Sequence, residues 1–497
     1  MRTNHSRTII FSLVAGVCSF AVSCKKDDAL NPLPTTLISD ASAFTTTARI
    51  SNQVNGLYAT FKGGGLWGSN YLLYSDARAG DFISTNQNPL QGGLTYALLA
   101  DPSTTDVSVV WQQSYQLING CNVFLAGMQG GGATVAGDSL NKNWTGEART
   151  LRAIAYYSLL QLYAQPYRVN NGASPGVPLR LTANTGLSDY NLARSSVDAV
   201  YKQILADLNY AETNVPLKYS TAVLNTTRIH RNTVVALKTR VYLSMGDYAN
   251  VITEANKIVP ASAPFTAAAS GGVANALQAD ITTVFKTYTT AESIFSMPFT
   301  ANDAPGNSLA TNYLPVAADA TGLGSTGSGQ FYLFEKGVIS DPGWKATDRR
   351  RALIFATPSG TNTGRKWNSK FATGSPYTDY IPVIRYAEVM LSLAEALANA
   401  NGIDARATAL LNAVRQRSDA TTTFAPTSKA DLIDKIINER RIEFLGEGLR
   451  NADLMRLGLP IPAKTPTGST PVPASNPGDN NYTWPVPNSE TLYNKLI

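Results

Sequence analysis

Val383, Ala387, Met390, Ala394 and Leu397 follow one another at intervals of four, three, four and three residues. Only an α-helix keeps such a set on one side, and the rhythm makes that side a seam for a neighbouring helix. Two of the five are alanines, so the neighbour can approach closely. Asn401-Gly402 ends the helix, and Ala405 to Arg417 supplies a partner that turns back on it.

The same design occurs upstream. Leu243, Gly246-Asp247-Tyr248, Ala249, Ile252 and Ala255 give a helix, a glycine-bearing turn and an alanine-faced second helix, the hinge of a tetratricopeptide repeat. The apolar period also predicts helices over Ala48 to Phe61, Val109 to Leu125, Val197 to Ala211 and Thr233 to Leu243. Another runs from Glu147 to Tyr163, with a cap at Asn143 or Thr145. In the Val109 to Leu125 helix, Trp111, Tyr115, Ile118 and Asn122 share one side, and Trp111 reads as core. The hinges are few and unevenly spaced, so the fold class is all-α: a short, interrupted, tetratricopeptide-like scaffold. From Val259 to Tyr380 the helical period is lost, and Lys62 to Pro102 is a second glycine-rich, loop-like stretch. Loops on a rigid scaffold are where binding residues concentrate.

The N-terminus sets the compartment. Arg2 and Arg7 precede an apolar run from Ile9 to Phe20, too short to span a bilayer and suited to a secretory signal. Ala21-Val22-Ser23 offers a peptidase its small residue, so residues 1–23 are predicted to be removed and Cys24 to become a lipidated N-terminus. Lys25-Lys26-Asp27-Asp28 looks like a sorting tag for the extracellular face of an outer membrane. Residues 24–40 then form a flexible tether and 41–497 the folded domain, with a loop-rich insert at about 259–380. Each buried acyl CH₂ contributes roughly 0.8 kcal/mol, so two or three chains anchor such a domain stably.

Composition excludes several chemistries. After residue 23 the chain keeps one histidine, His230, and, once Cys24 carries lipid, one thiol, Cys121. That forbids a disulfide framework and a His-rich zinc site, and leaves little room for a Cys-His pair. The formal charge of +6 becomes +4 without Arg2 and Arg7, and Arg349-Arg350-Arg351 is the only basic run. Nothing resembles a stripe for a nucleic-acid backbone. There is no P-loop and no Gly-x-Ser-x-Gly elbow, and no metal or cofactor is expected.

Glu439, Glu443 and Glu447 stand at successive i,i+4 positions, where like charges repel by a few tenths of a kcal/mol per pair. Cations must meet that row. Arg450, Arg456 and Arg385 are the candidates, with Asp453 closing a structural ion network. Glu388 and Glu395 lie seven apart on one helix, about 10 Å along its axis. Two acids on one helix cannot flank a sugar as glycosidase carboxylates do, so they read as partners for neighbouring helices. Trp67, Tyr71, Tyr74, Tyr313, Trp344 and Trp367, all in loop-rich stretches, are the candidate ligand-binding residues. Sugar C–H faces stack on such rings while neutral amides bond the hydroxyls.

Several of these segments together resemble the SusD/RagB family. They are Glu-Ala-Arg-Thr-Leu-Arg-Ala-Ile-Ala-Tyr-Tyr from Glu147, Tyr-Leu-Ser-Met-Gly-Asp-Tyr from Tyr242, Ile-Pro-Val-Ile-Arg-Tyr-Ala-Glu from Ile381 and Glu-Arg-Arg-Ile-Glu-Phe from Glu439. Asp-Leu-Met-Arg456, Asp348-Arg349-Arg350 and the closing Trp484-Pro-Val-Pro-Asn-Ser-Glu490 complete the set, in the family's order. The resemblance implies a surface lipoprotein that captures oligosaccharides, or in some branches peptides. It also implies a partner, a TonB-dependent (SusC-like) outer-membrane transporter, and no catalysis. The ligand residues of such proteins lie in variable loops, so none carries over by motif. Two other readings compete: a secreted glycoside hydrolase using paired acids, and an adaptor whose repeats only dock a partner.

Overall fold

The structure, a computed structural model, describes residues 42–497 apart from 87, 187–188, 307 and 467–469. The predicted signal, Cys24 and the tether lie outside the described residues. The longer helices are α1 (Thr47–Phe61), α2 (Asn70–Arg78), α3 (Thr105–Gly127), α4 (Asp138–Tyr163), α5 (Val197–Asn214), α6 (Arg231–Met245), α7 (Tyr248–Ala255), α8 (Tyr386–Asn401), α9 (Ala405–Ser418), α10 (Lys429–Glu443) and α11 (Leu449–Leu457). No described helix is long and apolar enough to cross a membrane.

Each helix packs on the next: α3 on α4, α4 on α5, α5 on α6, α6 on α7, α7 on α8 and α8 on α9. The two predicted hinges are therefore neighbours, although residues 256–385 separate α7 from α8. Leu243, Val251 and Ala396 share one small apolar cluster, with Tyr242, Tyr248 and Ile252 around it. Gly246 ends α6 at φ 73°, a left-handed geometry that glycine adopts without a Cβ penalty, and Asp247 caps α7 by accepting the Asn250 N–H at 3.1 Å. At the second hinge Asp404 accepts the Ala407 N–H at 2.8 Å.

Short strands tie the excursion down. β2 (Ser293–Met297) runs antiparallel to β6 (Ile381–Arg385), with Met297 opposite Ile381 and Ser293 opposite Arg385. Both strands are buried throughout. β1 (Phe82–Ser84) pairs with β3 (Phe331–Leu333), and β4 (Ile354–Ala356) with β5 (Lys366–Asn368). Val383 thus belongs to a strand, and the predicted helical seam begins at Ala387.

Two further expectations change. The helix placed from Glu147 starts at Asp138, after Gly137, so neither Asn143 nor Thr145 is its cap. Within the stretch read as loop, α2 forms with all nine residues buried. It is only nine residues long and buries Asn70, Ser75, Asp76 and Arg78 with its apolar residues, so no apolar period stands out.

The carboxylate row is met by more cations than expected. Glu439 pairs with Arg350 at 2.6 Å and Arg415 at 2.5 Å. Glu443 meets Arg350 at 3.0 Å, Arg385 at 3.0 Å and Arg417 at 2.6 Å. Glu447 lies beyond the end of α10 yet reaches Arg385 at 2.8 Å and Lys370 at 2.7 Å. Glu292 and Asp348 supply further acid oxygens to the same guanidiniums. Arg456 pairs with Glu395 and with Asp453, which Arg440 also holds. Arg450 is the correction, because it forms no ion pair among the described residues and its Nε and Nη1 have no partner. Burial, and then the neighbouring Arg441 and Arg456 guanidiniums, lower its pKa. Glu388 is held by Arg240 through two bonds of 2.7 Å, so the acids seven apart serve different helices, as expected. His230 is structural: fully buried, it caps α6 through Nδ1.

Candidate functional site

The six predicted ligand aromatics are all in the core, each at most 4 % exposed. The Trp67 indole donates to Ser158 Oγ at 2.9 Å, and Tyr71 packs on its ring at 4.9 Å. Tyr74 meets Trp484 edge-on. Tyr313 stacks on Phe82 at 4.9 Å and donates to Asp76 Oδ2 at 2.8 Å. Arg351 covers Trp344 at 4.0 Å, and the Trp367 indole donates to Thr357 Oγ1 at 2.9 Å. Ring faces covered by protein offer nothing to a sugar.

A cleft of about 960 Å³ opens elsewhere, between α3, residues 179–184 and 189–192, and residues 489–494. Helix side chains build its loop wall by capturing main-chain oxygens. Tyr115 Oη donates to the Pro178 carbonyl and Tyr156 Oη to that of Arg180, both at 2.8 Å. Asn122 Nδ2 donates to the carbonyls of Arg180 at 2.9 Å and Thr182 at 3.2 Å. Asn119 and Asn184 exchange two bonds of 2.9 and 2.8 Å. Behind them Arg152 holds Asn122 Oδ1 at 2.7 Å and grips Asp207 with two nitrogens. The wall is therefore anchored to α3, α4 and α5 together.

The chain end closes the other side. A short helix, Asn488–Thr491, follows the Trp484 motif and places Glu490 on the cleft floor. Glu490 Oε1 accepts from Arg180 Nη2 at 3.0 Å and Asn494 Nδ2 at 2.9 Å, and Oε2 from the Trp111 indole at 3.2 Å. Asn494 also pairs with the Leu192 main chain through both side-chain atoms. Trp111, the expected core residue, thus holds a floor group as well.

Electrostatically the cleft is close to neutral. Arg180 and Glu490 cancel, and Asp189 is the remaining charged lining residue. Burial pushes the Tyr115 phenol well above its ordinary value, so it stays protonated. Tyr493 is 68 % exposed and presents its ring to solvent at the rim. Tyr190 and Asn191 line the same cleft, and the Ser489 hydroxyl has no partner. This is a surface for flat, hydroxyl-rich, uncharged molecules. Of its residues, Tyr115, Ile118, Asn119, Ser489 and Glu490 fell within segments singled out in the sequence. The loop wall carries no period or motif and was missed.

A tetratricopeptide-like scaffold with a loop-walled cleft is the class that this arrangement defines. The chain belongs to the SusD family, whose profile matches residues 123–496. It is similar to SusD-like protein P2 of Formosa agariphila, 25 % identical over 93 % of this chain and 94 % of that protein. A crystal structure of a SusD superfamily protein from Bacteroides fragilis is 31 % identical, with a TM-score of 0.78, covering 92 % of this chain and 99 % of that one. A laminarin-binding SusD-like protein shares the fold at 22 % identity and a TM-score of 0.71, covering 91 % and 98 %.

Proposed function

We propose that this chain binds oligosaccharides at the cell surface and hands them, unchanged, to a TonB-dependent (SusC-like) outer-membrane transporter. The observation that carries the reading is the neutral cleft, with Tyr190 and Tyr493 beside Asn184 and Asn191, while the Asn119 and Asn494 amides are spent on holding its walls. Rings offer stacking faces and the amides of Asn184 and Asn191 offer hydrogen bonds, which is what a neutral sugar requires. Both Glu490 oxygens are already held by donors, which supports binding without acid–base work. The family membership and the laminarin-binding relative support a glycan as ligand.

Titration calorimetry with laminari-oligosaccharides and a wider neutral panel tests this. Binding is expected, Tyr493→Ala should weaken it roughly tenfold, and chromatography should show no product. Peptide binding with no glycan binding would move the protein to a peptide-uptake role. Turnover abolished by one Asp or Glu substitution would make it a hydrolase. Lipidation at Cys24 and the tether to residue 40 belong to the same proposal. A shortened tether should reduce uptake by cells while soluble binding stays the same; equal uptake would argue against it.

A further inference from the structure

A second cleft, of about 420 Å³, lies between residues 332–340 and the turn that joins β4 to β5. Its lining includes Tyr332, Glu335, Ser340, Thr361, Arg365 and Lys366. The Arg365 guanidinium lies over the Tyr332 ring, its central carbon 4.2 Å from the centroid. That ring meets Trp367 edge-on at 6.0 Å, and Trp367 is fixed by its bond to Thr357. The Arg365 main chain is held on both sides, its N–H donating to the Asn362 carbonyl at 3.0 Å and its carbonyl accepting from Thr357 N at 3.0 Å. The position of the guanidinium is therefore set by an aromatic face and a hairpin.

No described carboxylate pairs with it. Arg350, Arg385, Arg415 and Arg417 in this chain all contact acids, and Arg180 in the first cleft is met by Glu490. Arg365 and Lys366 face one acid in the lining, Glu335. Stacking occupies the face of a guanidinium and leaves its N–H edges free. Those edges match a carboxylate or a sulfate, two oxygens at a time.

We propose that this cleft is a second glycan subsite, reading an anionic substituent: the carboxylate of a uronic acid or a sulfate ester. The proposal rests on the oligosaccharide-binding reading above, and divides the labour between a neutral cleft and a cationic one.

Calorimetry with three probes tests it: laminaritetraose, tetragalacturonate and a sulfated carrageenan tetrasaccharide. Wild type is compared with Arg365→Met, which keeps an apolar stem against Tyr332, and with Lys366→Met. Neither residue carries an ion pair among the described residues, so melting temperatures should barely move. An acidic probe should bind wild type about tenfold or more tighter than Arg365→Met, with affinity falling as salt rises, while laminaritetraose binds both alike. Which acidic probe responds separates carboxylate from sulfate. Equal affinity of the acidic probes for wild type and Arg365→Met overturns the inference. So does binding of the neutral probe alone, which leaves the first cleft's role standing. Binding of no probe at all removes both.

Discussion

Glu490 and Arg180, 310 residues apart in sequence, are joined at 3.0 Å across the floor of the cleft. That contact ties the loop wall to the last helix, and Trp111 and Asn494 bind the same carboxylate. Glu490→Ala should cost about 1–3 kcal/mol of stability, because the donors around it lose a charged acceptor. It should also weaken oligosaccharide binding tenfold or more, by calorimetry on protein shown to be folded. An unchanged affinity would mean that ligand binds elsewhere.

Arg385→Met strips the shared cation from Glu292, Glu443 and Glu447, all buried. Leaving buried acids short of a partner costs about 3–5 kcal/mol. The melting temperature should fall steeply while the surviving folded fraction binds ligand normally. A stable but inactive variant would assign the network a direct functional part.

Acid should unfold the protein through the same carboxylates. Burial pushes Glu443 and Glu447 up, but Arg417, Arg385 and Lys370 outweigh it and hold both below the usual range. Burial likewise opposes Arg440 and Arg456 at Asp453, whose pKa falls to about 2. The unfolded chain takes up these protons first, near pH 4, so the stabilisation is full above that and lost as pH falls towards about 2. Urea midpoints measured from pH 6 to pH 2.5 should drop; a flat series would sink the assignment.

Asp76 has the opposite sign. Burial raises it to about 8, against hydrogen bonds from Tyr313 and the Gly448 N–H. Between about pH 4 and 8 the unfolded state ionises while the folded state stays protonated, so this group destabilises the fold as pH rises. Asp76→Asn should therefore raise the melting temperature at pH 8 and lose that advantage below pH 4. No gain at pH 8 would show that Asp76 ionises in the fold.

Trp367→Ala should cost about 3–5 kcal/mol, as expected for a large ring removed from the core. Neutral oligosaccharide affinity should be unchanged. A loss of that affinity in stable protein would return Trp367 to the binding residues.

The longer helices were legible because their apolar residues repeat at helical spacing over several turns, even in α8, where every residue from Tyr386 to Ala398 is buried. Leu243, Gly246 and Ala255 announced one hinge, and Ala387 to Leu397 the seam of the other. What escaped was short and mixed buried polar with apolar residues, as α2 does, or was irregular backbone held by side-chain bonds, as residues 180–184 are. The aromatic reading failed for a related reason. A glycine-rich neighbourhood marks irregular backbone, not exposure, and Trp67, Trp344 and Trp367 anchor that backbone from within. The acidic row was recognised as structural, but its cations come from residues 350 to 417, a proximity that only folding creates.

The contact of α7 with α8 has one more consequence. The superhelix is continuous in space where the chain is not, and β2 pairs with β6 where the intervening segment departs and returns. That segment is riveted to the helices rather than merely attached to them: Asp348, Arg350 and Lys370 within it meet Arg415, Glu439 and Glu447, so a substitution at any one of the three loosens the excursion and the frame together.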